Sequence, residues 1–520
     1  MHRSMWLASL IAGAAMVAGI PARADWHKAT SKHFIVYAND DAEDVREQAE
    51  RLERFDGVFR YFQKLQARPE DESNKLTVYV VPNGSAVRRL YGSNSRNIGG
   101  FYQGRASGSV AFTPARGSGN DKVAREEPQI VLFHEYAHHL LLGNFAYAFP
   151  AWFSEGYAEF LSTVKFDKEA AWVGGAAQHR AFDLLRNGRF PVEKLLSANM
   201  RTVRREDIGM LYARGWLLTH HIFVASDTTR REQFGRYLDA VNTGTPGVQA
   251  AREAFGDLAA LDREMDARLR ASKLPAFRFP LDRLPQPEVR VRTLRPGEEA
   301  LIELRMRSDR GVNRETAQPI LAEAIPIGAR YADDPVVQGW LAEMALDAGR
   351  YDLAEAAADR ALALDPRSTQ ALVYKGQVHL RRASEARATD PGVWKEARSW
   401  LLKANAIDNN DAYTLLLFYS SFGMAGTPPT ANAKLALARA HELVPQDSGL
   451  RFAFAHQALL DGKVEHAKVA LRPLAYSAHA TPDNLAARML ALLEDKGDAK
   501  AVLEALRPQS GGVAAEGEGD

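Results

Sequence analysis

Residues 131–138 read Val-Leu-Phe-His-Glu-Tyr-Ala-His, and this octapeptide constrains the chain more than any other segment. Ile130, Val131, Leu132, Phe133, Leu140 and Leu141 surround its polar groups, so the run is predicted as a buried helix. Such a helix cannot leave imidazoles and a carboxylate without partners, because burying an unpaired polar group costs roughly 2–7 kcal/mol. His134 and His138 stand four residues apart, which puts both rings on one helix face where they can converge on a single cation. Zinc suits neutral imidazole nitrogens and binds them at about 2.0–2.1 Å. Glu135, beside the first histidine, is expected to reach a water on that ion and to act as general base and then general acid. The alternative is a helix with two surface histidines and a glutamate, against which the apolar flanks argue. His139 projects about 100° away from His138 and is expected to pack or to face the surface.

A second segment follows at a workable distance: Phe149-Pro150-Ala151-Trp152-Phe153-Ser154-Glu155-Gly156-Tyr157-Ala158-Glu159-Phe160. A zinc hydrolase needs a third protein ligand while one coordination position stays open. Together the two segments resemble the gluzincin metallopeptidases, in which a second helix carries a glutamate within a W-x-x-E-G-x-A pattern. The resemblance covers about residues 25–270 and looks closest to the peptidase-MA-like group fused to helical repeats. It implies Glu155 as third ligand and Glu159, one turn later, as an acceptor that orients a ligand histidine. It also implies an oxyanion donor on a later helix; Tyr212 is the candidate, with His220 and His221 behind it. The interval from His138 to Glu155 is shorter than in the best-known members, so the turn between the helices is expected to be tight. Members of that family often hold substrate backbone against a sheet edge. Ile98-Gly99-Gly100-Phe101-Tyr102 could offer one, a plain structural hairpin being the alternative.

Around these motifs the pattern changes along the chain. His33–Tyr37 and Leu76–Val81 read as strands, and between them Val45, Ala49, Leu52, Phe55, Phe59 and Phe62 recur at helical spacing after Asp40-Asp41. Ile98–Tyr102 and Ser109–Phe112 read as a hairpin, and residues 128–269 are mostly helical. Residues 271–312 are expected to be a connector with a small β-hairpin, its strands Val289–Leu294 and Leu301–Met306 flanking Pro296-Gly297. Over 313–507 the chain is rich in Ala and Leu. Ala342, Ala354, Ala361, Ala397, Ala404, Ala433, Ala440, Ala455 and Ala467 recur at offsets that resemble degenerate tetratricopeptide repeats. The fold class expected is thus an α+β zincin-like metallopeptidase domain followed by an all-α repeat array. Residues 508–520, rich in Gly, Ala and Glu, are expected to be disordered.

Charge and leader bound the setting. Lys+Arg is 66 and Asp+Glu is 65, so no basic excess points to nucleic acid. Residues 1–24 carry a basic start, an apolar run and Ala22-Arg23-Ala24, as a cleavable signal peptide does. With no cysteine in the chain, no disulfide or lipoprotein anchor is possible. The expectation is an exported protein, in a bacterial periplasm, without stable membrane insertion after cleavage. Its expected function is a zinc-dependent peptidase holding one zinc ion, with a peptide or protein substrate and repeats that bind protein. The rivals are a proteolytically silent metal-binding scaffold and a zinc amidase acting on a non-peptide or cell-wall substrate.

Overall fold

The computed structural model describes residues 25–505 except 67–71, 93–97, 118–121, 187–189, 225–227, 478–480 and 482–483. The leader expected at 1–24 and the tail expected at 508–520 lie outside the described residues.

Six strands make the main sheet: β1 (Trp26–Thr30), β2 (Phe34–Asn39), β3 (Leu76–Val81), β4 (Phe101–Gln103), β5 (Val110–Pro114) and, far along the chain, Arg290–Thr293. A second sheet joins β6 (Lys165–Phe166), β7 (Ala170–Val173) and β8 (Phe277–Pro280), which makes Arg290–Thr293 β9. The order in the main sheet is β4-β5-β3-β2-β1-β9; β2, β3 and β5 run parallel, and β4, β1 and β9 pair antiparallel to their neighbours.

Successive side chains of a strand point to opposite faces, and here the two faces serve different halves of the chain. Phe34, Val36, Ala38, Val78 and Val80 meet the helices Ala42–Gln63 and Lys122–Asn144. Tyr37, Tyr79, Phe101 and Phe112 point the other way and stack in a row, with ring centroids 5.4, 5.2 and 4.6 Å apart along it. That row packs against Leu301, Ile302, Ala342 and Trp340 of the C-terminal half. One sheet therefore carries two cores.

The expected connector with a hairpin at 271–312 is not formed. Residues 277–280 and 290–293 are strands of the two sheets, and Leu301–Met306 lies within the helix Pro296–Asp309. Pro296 opens that helix where a missing N–H costs nothing, and Glu298 Oε2 accepts from Arg295 N at 2.9 Å. Ile302, Leu304 and Met306 are all buried because this helix is covered on two sides, which imitates the alternation of a strand.

Beyond it the chain is an array of paired helices. Helix pairs form at Pro335–Asp347 with Tyr351–Leu364, Thr369–Glu385 with Pro391–Ile407, Ala412–Met424 with Ala431–Leu443, and Ser448–Leu460 with Val464–Ala475. Leu485–Lys496 and Ala499–Ala505 follow. The recurring alanines, Ala354, Ala361, Ala397, Ala433, Ala440 and Ala467 among them, are fully buried where helices cross closely. Asp334, Ser368, Asp390, Asp411, Thr430, Asp447 and Asn484 cap first-turn amides, each cap contributing about 1 kcal/mol.

The array curls back onto the α/β half. Ser73 Oγ donates to Asp408 at 2.9 Å, Asn74 Nδ2 to the Asn410 carbonyl at 2.8 Å, and Ala106 N to Asp447 Oδ2 at 2.7 Å. Ala106, at the tip between β4 and β5, lies in a core shared with Leu437, Ala440 and Leu450 of the array.

Candidate metal centre

Three helices build the site. Lys122–Asn144 carries the H-E-x-x-H motif, and its opposite face is held by Phe133 stacked on Phe55 at 4.1 Å and by Tyr136 Oη donating to Asp56 at 2.8 Å. The chain then turns over residues 145–150, where Ala148 exchanges backbone bonds with the Asn242 amide at 2.7 and 3.1 Å. Ala151–Ser162 starts after Pro150 and carries Glu155 and Glu159. Ile208–Phe223 carries Tyr212 and crosses it at two glycines. A Cβ on Gly156 would stand 2.3 Å from the Gly215 carbonyl carbon, so only hydrogen fits at that crossing.

The structure brings His134, His138 and Glu155 together. His134 Nε2 and His138 Nε2 are 3.2 Å apart, and Glu155 Oε2 is 3.3 Å from the first and 3.5 Å from the second. A tetrahedral ion with ligands at about 2.0–2.1 Å spaces its donors about 3.3 Å apart, so the three distances fit a bound zinc. Glu155 Oε2 is buried and has no hydrogen-bond partner. A buried, orphaned carboxylate oxygen facing two imidazole nitrogens is the donor set a divalent cation completes. The three are a group of His/Glu side chains able to hold an ion among the described residues.

The three groups set one another's charge. Burial disfavours a charged imidazole at His134, yet the Glu155 and Glu159 carboxylates push it up to about 10. Burial would also raise Glu155, but the His138 and His134 rings outweigh it and hold the carboxyl well below the usual range. With no ion between them the carboxylates hold a proton on His134 and the two rings keep Glu155 ionised, so a cation bound there would have to displace that proton.

Glu159 lies behind His134, its Oε1 3.2 Å from Nδ1. It is also bound by His179 Nε2 at 2.6 Å and by Arg180 Nη2 at 2.6 Å. Arg180 in turn sits over the Tyr212 ring, 4.9 Å from its centroid, and the other partner of that ring is His134, stacked at 5.7 Å. Ser154 Oγ is 3.5 Å from His138 Nδ1. Glu135 opens into the cleft beside Gly100; burial raises its carboxyl while the two histidines oppose the rise. Tyr212 lines the same cleft, and burial together with the Glu155 charge holds its hydroxyl firmly protonated.

Other residues fall elsewhere. His220 and His221, considered behind Tyr212, do not serve the site. His220 Nε2 faces the Gly174 and Pro275 carbonyls at 3.1 Å, and His221 pairs with Glu264 at 2.9 Å. His139 packs on Tyr136 and meets Tyr102 Oη at 2.8 Å. His179, Arg180 and Ser154 are not marked by the sequence pattern; the first two lie in a one-turn 3-10 helix, Gln178–Arg180, too short to carry a period. Gly99, Gly100 and Phe101 do line the cleft, with β4 at the edge of the sheet.

No protein-family model matches the chain. No curated protein matches it in sequence either. Solved structures are similar to part of it. A thermophilic tetratricopeptide-repeat protein of Thermus thermophilus is 18% identical, with TM-score 0.30, covering 40% of this chain and 99% of its own. MamA from Desulfovibrio magneticus RS-1 is 17% identical, with TM-score 0.25, covering 34% and 94%. A tetratricopeptide-repeat protein from Parabacteroides merdae is 12% identical, with TM-score 0.28, covering 54% and 92%.

Proposed function

We propose that this chain is a zinc-dependent peptidase, exported from the cytoplasm, whose repeats form a protein-binding scaffold around a zincin-like metal site. The observation that carries the reading is the convergence of His134 Nε2, His138 Nε2 and the orphaned Glu155 Oε2 within 3.5 Å of one another. Zinc held there would supply Lewis acidity, polarising an amide carbonyl and acidifying water. Glu135, its carboxyl raised by burial, takes a proton from the attacking water and returns it to the leaving amine. Tyr212 keeps its proton and donates to the developing oxyanion. Glu159, fixed by His179 and Arg180, holds the His134 ring with Nδ1 turned away from the ligand position. A cleft of about 2040 Å³ and an edge strand along it favour a peptide over a small amide.

The test compares wild type, His138→Ala and Glu135→Gln. The expected result is one zinc per chain in wild type and Glu135→Gln, loss of zinc in His138→Ala, and hydrolysis of a peptide library by wild type alone. Equal turnover by wild type and Glu135→Gln would overturn the mechanism. The second reading, a metal-binding scaffold that cleaves nothing, rests on the extended helical array, a form that presents long binding surfaces. Zinc-loaded wild type that binds protein without cleaving it decides for that reading.

A further inference from the structure

The cleft at the metal centre has two walls of different origin. One belongs to the α/β half and carries His134, Glu135, Glu155 and Tyr212. The facing wall is built by the end of the array: Gln446 ahead of Ser448–Leu460, Phe452 within it, Leu474 near the end of Val464–Ala475, and Leu485 and Arg488 at the start of the next helix.

This wall is held in place. Asp447 Oδ1 caps its own helix through Leu450 N at 2.7 Å, while Oδ2 receives Ala106 N from the α/β half at the same distance. Gln446 is wedged in between: a Cβ on Gly104 would stand 2.9 Å from its Cγ, and one on Gly143, at the end of the metal helix, 3.5 Å from its Oε1. Helices beyond this anchor overhang the metal site.

Both walls leave large apolar side chains open to the cleft. Leu142 and Tyr147 are 36% and 40% exposed on the metal side, and Leu485 is 41% exposed on the array side. The cavity, about 2040 Å³, is roughly twice the upper end of pockets that enclose small molecules, about 1,000 Å³. An extended polypeptide suits such a space because its side chains alternate, one set toward each wall, while its backbone crosses between them.

We propose that the last helix pairs of the array are the substrate-selecting wall of the site, seating apolar side chains of an extended polypeptide against Phe452, Leu474 and Leu485. The proposal rests on the peptidase reading for the word substrate, but the wall binds peptide whether or not the bond is cut. Specificity then resides in a part of the chain some 300 residues from the H-E-x-x-H motif, as the distance from His138 to Phe452 and Leu485 shows.

The test uses the full chain carrying Glu135→Gln, loaded with zinc, and a fluorescein-labelled peptide in which Leu alternates with Ser; in a control peptide Gln replaces Leu. Anisotropy is expected to show binding of the Leu peptide over the control, weakened about tenfold by Leu485→Glu, the loss expected for one leucine-sized apolar contact. Phe452→Ala is expected to act in the same direction. Leu485 is exposed, so its variant reports even if Phe452→Ala does not fold. In the chain that retains Glu135, Leu485→Glu is expected to raise KM with little change in kcat and none in zinc content. Equal binding of the two peptides, or binding untouched by Leu485→Glu, overturns the proposal, as does displacement of the peptide by phosphatidylglycerol vesicles, which would assign the wall to acyl chains. Binding through Leu485 without hydrolysis by wild type upholds the wall and defeats only the peptidase reading.

Discussion

At the scale of single residues, Glu159 backs the proposed ligand His134. Its carboxylate touches His134, His179 and Arg180 at once, and burial alone would neutralise it; the Arg180 charge and the two imidazole contacts hold it well below the usual range instead. Glu159→Gln keeps the shape and removes the charge. Zinc affinity, measured by competition with a chelator, is expected to fall about 10–100-fold, as for partners that orient a ligand histidine. Unchanged affinity would mean that Glu159 serves the fold alone. The H-E-x-x-H residues were legible because their spacing is local and their apolar flanks are unmistakable. His179 and Arg180 were not, because nothing in a single 3-10 turn says which carboxylate it will meet.

Among elements, the crossing of Ala151–Ser162 over Ile208–Phe223 brings Glu155, the proposed ligand, and Tyr212, the proposed oxyanion donor, to one cleft. Gly156 and Gly215 let the two backbones touch; a Cβ on Gly215 would be 2.6 Å from the Trp152 carbonyl oxygen. Gly156→Ala is expected to cost at least about 1–3 kcal/mol in urea denaturation, the range for overpacking a tight core, and to lower zinc affinity by pushing Glu155 away. Full stability in that variant would show that the helices can part freely. The helix Pro296–Asp309 teaches the opposite lesson. Its buried positions satisfy a period of two because the sheet covers one side and the array another, so burial on both sides erased the helical signature.

Across the whole molecule, the join between sheet and array contains a buried charge cluster. Arg305 lies between Asp309, at 2.9 Å, and Glu343, and Tyr79 from the sheet donates to Asp309. Asp347 sits beside them, with Ser308 Oγ at 3.4 Å; burial and the Glu343 charge push its carboxyl up to about 7, against the pull of Arg305. In the unfolded chain an aspartate titrates near 3.9. Between these values the folded chain binds more protons, so the contribution of Asp347 to stability is whole below about pH 4 and is lost as the pH rises through about 7. Asp347→Asn, which carries no charge at any pH, is therefore expected to melt above wild type at about pH 8, with the difference closing toward about pH 4. Melting curves for the two proteins that stay parallel across that range would exclude the ionisation.

What the sequence by itself determined is whatever repeats locally: the histidine pair and its glutamate, the strands of β2 and β3, the amphipathic helix between them, and the alanine spacing of the helical pairs. Periods of two, of three to four and of about 34 residues are written in neighbouring positions, and side-chain geometry reads them directly. Tertiary structure alone decided what needs distant segments to meet. β9 reaches β1 across more than 250 residues, Glu155 meets His134 because the turn at 145–150 folds one helix back on the other, and the array comes to face the candidate metal site through Asp447 and Gln446. The physical reason is that such contacts are selected by packing and hydrogen bonding in three dimensions, which leave no period along the chain.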